Sequence, residues 1–284
     1  MDAETPLGLI AGQGAFPLAV ARSARKAGRR VACVAFRDLT DPGIAGEVAD
    51  VTWIHPGEVA IGLAAFRAAQ VRDAVMAGRV PKAALFRNPD ALHLDGEARA
   101  LISQLGDRRD DTILGMVATY LESLGIRLLP QWAPAPELLA PKGPLGARDL
   151  TAAERADVAF ALPIARSMGG RDIGQTVVVK DGVVLAVEAV EGTNAAIRRA
   201  GAFAAGACVV KVAKPKQDPR FDVPAVGAGT LAALLDARAA VLAVEAGATV
   251  VLEREELLRG ADAHGIAVVG VSPEEGGASL EDGA

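Results

Sequence analysis

The chain is 284 residues long, enough for two domains of ordinary size, and a hydrophobic content of 51% excludes disorder over most of its length. Aromatic residues make up only 4%, which argues against recognition of single strands by base stacking. A net charge of −5 argues against a general nucleic-acid binder, so no nucleic-acid partner is expected and a small anion fits better.

The first residues, Met1-Asp-Ala-Glu4, are acidic where a secretory leader would be basic. No uncharged run approaches the roughly 18 residues of a spanning helix, so the expectation is a cytoplasmic protein without a membrane span. A short apolar strand at 7–11 is followed by Gly12-Gln-Gly-Ala-Phe-Pro17 and an Ala-rich helix that Gly28 closes. A second strand at 30–36 completes a βαβ unit. A helix over 60–77, a strand over 82–86, a helix over 110–124 and a strand over 126–129 continue the alternation. This rhythm predicts an α/β fold with an N-terminal Rossmann-like parallel-sheet domain over 1–130.

Pro130, Pro134, Pro136, Pro141 and Pro144 then predict a stiff, Pro-rich linker over 131–150. Thr151-Ala-Ala-Glu154 reads as a capping box opening a helix to Gly169-Gly170, with a kink expected at Pro163. A C-terminal catalytic domain of mixed α/β type is expected over 151–272. Strands at 176–179 and 183–188 flank Asp181-Gly182, a two-residue hairpin signal. Helices near 194–202 and 230–239, strands near 241–245 and 248–252, a helix ending at His264 and a strand at 266–271 complete it. Residues 273–284 are acidic and Gly-rich and predict a disordered tail. Cys33 and Cys208 lie in apolar runs without disulfide-framework or zinc-finger spacing, and are expected to be buried, reduced thiols.

Several segments carry candidate chemistry. Gly12-Gln13-Gly14 sits between a strand and a helix, where unpaired N–H groups and the helix dipole can receive a phosphate. Pro17 stands where the dinucleotide fingerprint needs its third glycine, which argues against a nicotinamide or flavin site. A nucleotide-contacting turn and a ligand-free tight turn both remain. Asp110 and Asp111 either cap the helix they precede or reach a bound metal or ribose. His55, His93 and His264 lack zinc-site spacing, and no serine-hydrolase elbow or Walker motif occurs.

Gln175, Glu188, Glu191, Thr193 and Asn194 are polar residues gathered at strand ends and a turn. Glu188 interrupts Val-Val-Leu-Ala-Val, so in a buried strand its carboxylate must be paired, metal-bound or neutral. A structural salt bridge to Arg198, Arg199 or Lys211 is the competing reading. Between Lys211 and Pro224, Lys211, Lys214, Lys216 and Arg220 stand on a Pro-rich segment with Gln217 and Asp222, suited to neutralising a diphosphate that Mg²⁺ bridges to carboxylates. A solvated charged loop accounts for the lysines, but not for Asp222 between Phe221 and Val223.

Three motifs together resemble a known family: Gly-Gln-x-Val-Val-Val-x-x-Gly-x-Val-Leu-Ala-Val-Glu-Ala-x-Glu-Gly-Thr, Lys-Pro-x-Gln followed by Asp-x-Pro-x-x-Gly, and Leu-Ile-Ala-Gly-x-Gly-x-x-Pro near the N-terminus. They are similar to those of the cytosolic, Mg²⁺-dependent UDP-2,3-diacylglucosamine pyrophosphatases of lipid A synthesis, over essentially the whole chain. The resemblance implies a homodimer whose Rossmann-like and C-terminal domains enclose the substrate. It also implies hydrolysis to UMP and 2,3-diacylglucosamine 1-phosphate, and peripheral contact with lipid on the cytoplasmic face of the inner membrane.

The family's essential acid falls on Asp222, which ligates the metal or orients the water. Lys211, Lys214 and Lys216 would hold the diphosphate, with Gln175, Thr193, Asn194 and Gln217 around it. Glu188 and Glu191 would complete the shell of Mg²⁺, or Mn²⁺, while Gly12 to Gly14, Asp110 and Asp111 would line the substrate site. Asn194 replaces an Asp usual in the family, and Leu85-Phe-Arg-Asn-Pro89 departs from its usual Gly-x-Val-x-Arg-Pro. A non-catalytic nucleotide-sugar or lipid-binding protein of the same fold is the alternative reading.

Overall fold

The computed structural model describes residues 5–80, 93–103, 110–215 and 217–272. The chain forms two compact units: Met1–Pro136 with Pro219–Phe221, and Glu137–Asp218 with Asp222–Ala284. The first carries β1 (Leu7–Ala11), α1 (Phe16–Lys26), β2 (Val31–Phe36), β3 (Asp50–Ile54), α2 (Val59–Ala68), β4 (Asp73–Ala77), α3 (Gly96–Ser103), α4 (Asp110–Ser123) and β5 (Arg127–Leu128). Its strands are all parallel, in the order β3-β2-β1-β4-β5.

Alternation across the pleat explains why these strands read as continuous apolar runs. Ala32, Val34, Ala74 and Met76 pack with Leu63 and Phe66 of α2 and Leu121 of α4, while Leu7, Leu9, Val31, Cys33 and Val75 are buried on the opposite face. Burial pushes the Cys33 thiol up to about 12, so it stays protonated.

Two elements differ from the sequence expectation. The helix expected over 60–77 ends at Ala68, because Gln70 turns left-handed (φ 56°) and the Val71 N–H closes back onto the Phe66 carbonyl. The chain then enters β4. Strand β3 had no counterpart, since Asp50 and Thr52 break its apolar run. The strand expected at 82–86 and the disordered tail at 273–284 lie outside the described residues.

The second unit contains β6 (Gly143–Pro144), α5 (Ala152–Gly170), β7 (Thr176–Lys180), β8 (Val183–Val187), α6 (Thr193–Gly201), β9 (Cys208–Lys211), β10 (Ala225–Val226), α7 (Ala228–Asp236), β11 (Val241–Glu245), β12 (Val250–Val251), α8 (Arg254–Ala263) and β13 (Ala267–Val271). Its main sheet runs β6-β13-β11-β9-β7-β8, with β9, β11 and β13 parallel and the other neighbours antiparallel. One face packs Val158, Ala161, Leu162 and Ala165 of α5 on Val177, Val210 and Ala243. The other packs Ile197, Leu234 and Leu257, from α6, α7 and α8, on Val178, Val209 and Leu242.

The hairpin predicted from Asp181-Gly182 is present, with both residues left-handed (φ 51° and 73°). The buried Asp157 holds the turn from below, accepting from the N–H groups of Asp181 (3.0 Å) and Gly182 (2.7 Å). The strand expected at 248–252 shortens to β12, which pairs with β10 in a separate two-stranded sheet. Helix α5 is continuous through Pro163.

The segment read as a linker over 131–150 is divided between the units. Its second half is built into unit 2: Ala140 is buried and exchanges backbone bonds with Thr249 and Gly247, and Gly143–Pro144 pairs with β13. The prolines stiffen an edge of the sheet, where a missing N–H costs no ladder bond.

The capping box at α5 is present, and Arg148 forks onto the Glu154 carboxylate at 2.8 and 2.9 Å while donating to the Ala240 and Gly265 carbonyls. Chiefly through that guanidinium, the Glu154 carboxyl is lowered from 4.5 to about 2. Its stabilisation is therefore full above the ordinary carboxylate range and disappears as pH falls toward 2. Glu154→Gln is expected to cost about 2 kcal/mol at neutral pH, discounted for partial exposure, and almost nothing near pH 2. Urea melts that show the same cost at both pH values would contradict this.

Candidate active site

The polar residues of unit 2 gather at one edge of its main sheet. In the register Thr176 lies beside Lys211 and Lys211 beside Val244, so the start of β7 and the carboxyl ends of β9 and β11 share that edge. Glu188 follows β8 at the same edge, its N–H donating to the Thr176 carbonyl at 2.8 Å. Carboxyl ends of parallel strands are where α/β sheets collect ligands, because the loops and helix N-termini there leave donors unpaired.

Thr193, at the first turn of α6, is the centre of the cluster. Its hydroxyl donates to Glu188 Oε1 at 2.9 Å and accepts from Lys211 Nζ at 2.9 Å, with the Thr176 hydroxyl at 3.4 Å. One donor and two acceptor positions are thereby filled. The Gln175 N–H donates to Glu188 Oε2 at 3.3 Å. Glu188 and Lys211 are 8% and 6% exposed, so the Thr193 hydroxyl links two opposite charges withdrawn from water. Gly174 permits this approach, since a Cβ there would fall 2.1 Å from the Glu188 carbonyl oxygen.

The competing salt-bridge reading of Glu188 is resolved in part. Arg198 pairs with Asp236 at 2.8 Å and Arg199 with Glu191 at 2.6 Å. Lys211 meets Glu188 through the shared hydroxyl. Lys211 is also not on the charged loop where the sequence placed it, but on a central strand, with its stem buried.

The remaining predicted residues divide. Lys214 pairs with Asp172 at 2.6 Å, and its N–H donates to Gln217 Oε1 at 3.0 Å. Glu245 holds the same loop by accepting from the Ala213 N–H at 3.0 Å. Asn194 lies over the start of α7, where a Cβ on Gly229 would meet its Nδ2 at 3.3 Å. Two buried amide atoms, Gln175 Oε1 and Gln217 Nε2, have no hydrogen-bond partner. Such groups are costly unless a ligand, ion or water completes them.

Asp222, half-buried, is fixed through its backbone, its N–H donating to the Asp218 carbonyl at 3.0 Å. Glu191 turns to Arg199, and that guanidinium together with its own backbone N–H holds its carboxyl below the usual range. Among the described residues no three His, Cys, Asp or Glu side chains cluster, so Glu188, Glu191 and Asp222 are not gathered into one metal shell. Lys216 and the side chains of Asp110 and Asp111 lie outside the described residues, as does the segment 85–89.

The glycine turn of unit 1 is closed differently from the sequence expectation. Gln13 and Arg79 exchange backbone bonds at 2.8 and 3.0 Å, and the Gly12 N–H donates to the Ala77 carbonyl at 2.8 Å. Two N–H groups expected to face a phosphate are thus already used. Gly12 is required because a Cβ would lie 2.8 Å from the Arg79 carbonyl oxygen, while Gly14 (φ 105°) faces open space.

Comparison with known proteins now adds what geometry alone does not. The UDP-2,3-diacylglucosamine pyrophosphatase LpxI of Caulobacter vibrioides is 33% identical to this chain, covering 95% of it and 98% of that protein. Models of the LpxI N-terminal and C-terminal domains match residues 6–138 and 141–269. The chain belongs to the LpxI family.

The junction between the two LpxI domain matches falls within a few residues of the Pro136/Glu137 division of the structure. Thr176, Asp172 and Glu245 are the residues of this LpxI site that the sequence reading passed over. A signal for Glu245 was present: Val-Leu-Ala-Val-Glu occurs at 184–188 and again at 241–245, each time an apolar strand closed by a carboxylate.

Proposed function

We propose that this protein hydrolyses the diphosphate of UDP-2,3-diacylglucosamine, releasing UMP and 2,3-diacylglucosamine 1-phosphate. The observation that carries the reading is the end-to-end relationship to the Caulobacter pyrophosphatase, spanning both domains. The clustering of the motif residues Gln175, Glu188, Thr193 and Lys211 at one sheet edge supports it. The strand order β3-β2-β1-β4-β5 supports reading unit 1 as Rossmann-like.

In this proposal Lys211 and Lys214 supply positive charge for the diphosphate, with Lys216 and the amides of Gln175, Gln217 and Asn194 completing its contacts. Thr193 holds Glu188 and Lys211 in fixed orientation. Asp222 is the essential acid, touching either the metal or the attacking water. The donors present suit Mg²⁺, or Mn²⁺ in its place: Glu188 is an oxygen ligand, and Gln175 Oε1 is a buried acceptor that lacks a donor. Glu188, Gln175 and Asp222 are its proposed holders, in keeping with the one or two carboxylates that Mg²⁺ takes beside substrate phosphates. Glu191, engaged by Arg199, is not. Bound there, the ion would neutralise charge on the non-bridging oxygens of the diphosphate.

A diacylated substrate resides in a bilayer, so we also propose peripheral contact with the cytoplasmic face of the inner membrane. No described helix is long and apolar enough to cross one. Val190 and Phe203 are exposed apolar side chains of unit 2 that suit such contact. A homodimer completes the proposal. Absence of vesicle binding in flotation, or a monomer in sedimentation, would remove the corresponding element. The activity itself is tested by chromatography of UMP after incubation with the substrate and Mg²⁺.

A further inference from the structure

Unit 1 holds a cavity of about 690 Å³ that none of the motif residues lines. That volume is in the range of small-molecule sites. It adjoins His55, the first residue after β3, at the edge of the parallel sheet that also carries Gly12 after β1. Nucleotides bind doubly wound sheets outside their carboxyl ends, which makes this edge the chemically informative one.

The imidazoles of His55 and His93 stack with centroids 4.0 Å apart and planes 24° from parallel. His93 is exposed and lines the cavity, and among the described residues neither ring makes a hydrogen bond. The surrounding wall is built rather than incidental. Asp95 accepts from the N–H groups of Ala60 (2.7 Å) and Ala98 (2.8 Å), tying the start of α2 to the start of α3. Glu58 accepts from the His55 N–H at 2.6 Å, which fixes its carboxylate at the rim, while Arg99 and Ile61 complete the lining.

We propose that this cavity binds the pyrimidine base of a uridine nucleotide, an inference that rests on the pyrophosphatase reading. Uracil offers a flat π-face and an imide N–H flanked by two carbonyl acceptors. The His93 ring supplies the stacking surface, the Glu58 carboxylate an acceptor for the imide, and the Arg99 guanidinium a donor for a carbonyl. An acyl chain is the wrong occupant, because it would strip water from Glu58, Asp95 and Arg99 without replacing their hydrogen bonds.

Calorimetric titration of the full-length protein with UMP tests this, with ribose 5-phosphate as the ligand that lacks the base. UMP is expected to bind more tightly than ribose 5-phosphate. His93→Asn, which keeps a side chain tolerant of the left-handed backbone (φ 52°), and Arg99→Met should each weaken UMP binding by about tenfold. Both replace exposed side chains, and neither should alter ribose 5-phosphate affinity. In turnover they should raise KM with kcat nearly unchanged. Equal affinity for the two ligands, or unchanged UMP affinity in both variants, overturns the base site. If the wild type hydrolyses the substrate while the variants bind UMP normally, the pocket fails and the pyrophosphatase stands. If UMP binding depends on His93 but no turnover occurs, the pocket stands and the pyrophosphatase reading fails.

Discussion

Asp222→Ala is expected to lower the rate of UMP release by about a thousandfold or more, while its melting temperature stays within about 3 °C of wild type. The two halves of that expectation have different origins. The loss follows from the family resemblance, which puts the essential acid at this position. The retained stability follows from the structure, where Asp222 is held by its backbone and no described hydrogen bond or ion pair uses its carboxylate. A carboxylate that is half-buried, unpaired internally and flanked by Phe221 and Pro224 contributes little to folding. A fully active Asp222→Ala would remove the residue from the chemistry, and an inactive but unfolded one would contradict the structural half.

Thr193→Val should have the second largest effect, lowering kcat by about a hundredfold. Valine preserves the shape at the start of α6 but removes the hydroxyl through which Glu188 and Lys211 meet. Both charges then remain buried without their shared partner, so a stability cost of about 2 kcal/mol should accompany the kinetic loss. A merely structural role predicts the stability cost alone. Thr193→Ser separates the two readings, because it restores the hydroxyl: it should recover kcat to within about threefold of wild type. Thr193→Val should also need more Mg²⁺ for half-maximal rate, since Glu188 loses its orientation. Wild-type kcat in the valine variant would exclude Thr193 as a positioning residue.

Much of this molecule is written in local pattern. The Asp181-Gly182 hairpin, the Thr151 capping box and the alternating strands of both sheets follow from short-range chemistry, and the structure contains them. The helix expected across 60–77 was misjudged because Gln70 adopts a left-handed cap that only tertiary packing of Phe66 and Val71 selects. The linker was misjudged because prolines read as an extended connection equally serve an edge strand.

At the site, residue identity was legible and residue partnership was not. The sequence marked Glu188 and Thr193, but their joining to Lys211 depends on the β7–β9 register, a long-range fact. Glu191 shows the reverse. It shares the motif and its carboxylate type with Glu188, yet one salt bridge to Arg199 commits it elsewhere. The glycine turn makes the same point, since the Gln13–Arg79 bridge that uses its N–H groups joins segments far apart in the chain.

The central claim is hydrolysis of the diphosphate, and one measurement addresses it directly. Full-length protein is incubated with UDP-2,3-diacylglucosamine and Mg²⁺ in isotopically labelled water, and the products are resolved by mass. The predicted result is UMP and 2,3-diacylglucosamine 1-phosphate in equal amounts, with the label in the phosphate of one of them. Tight binding of the substrate with no UMP released, across several divalent ions, would contradict the account and identify a binding protein built on the same fold.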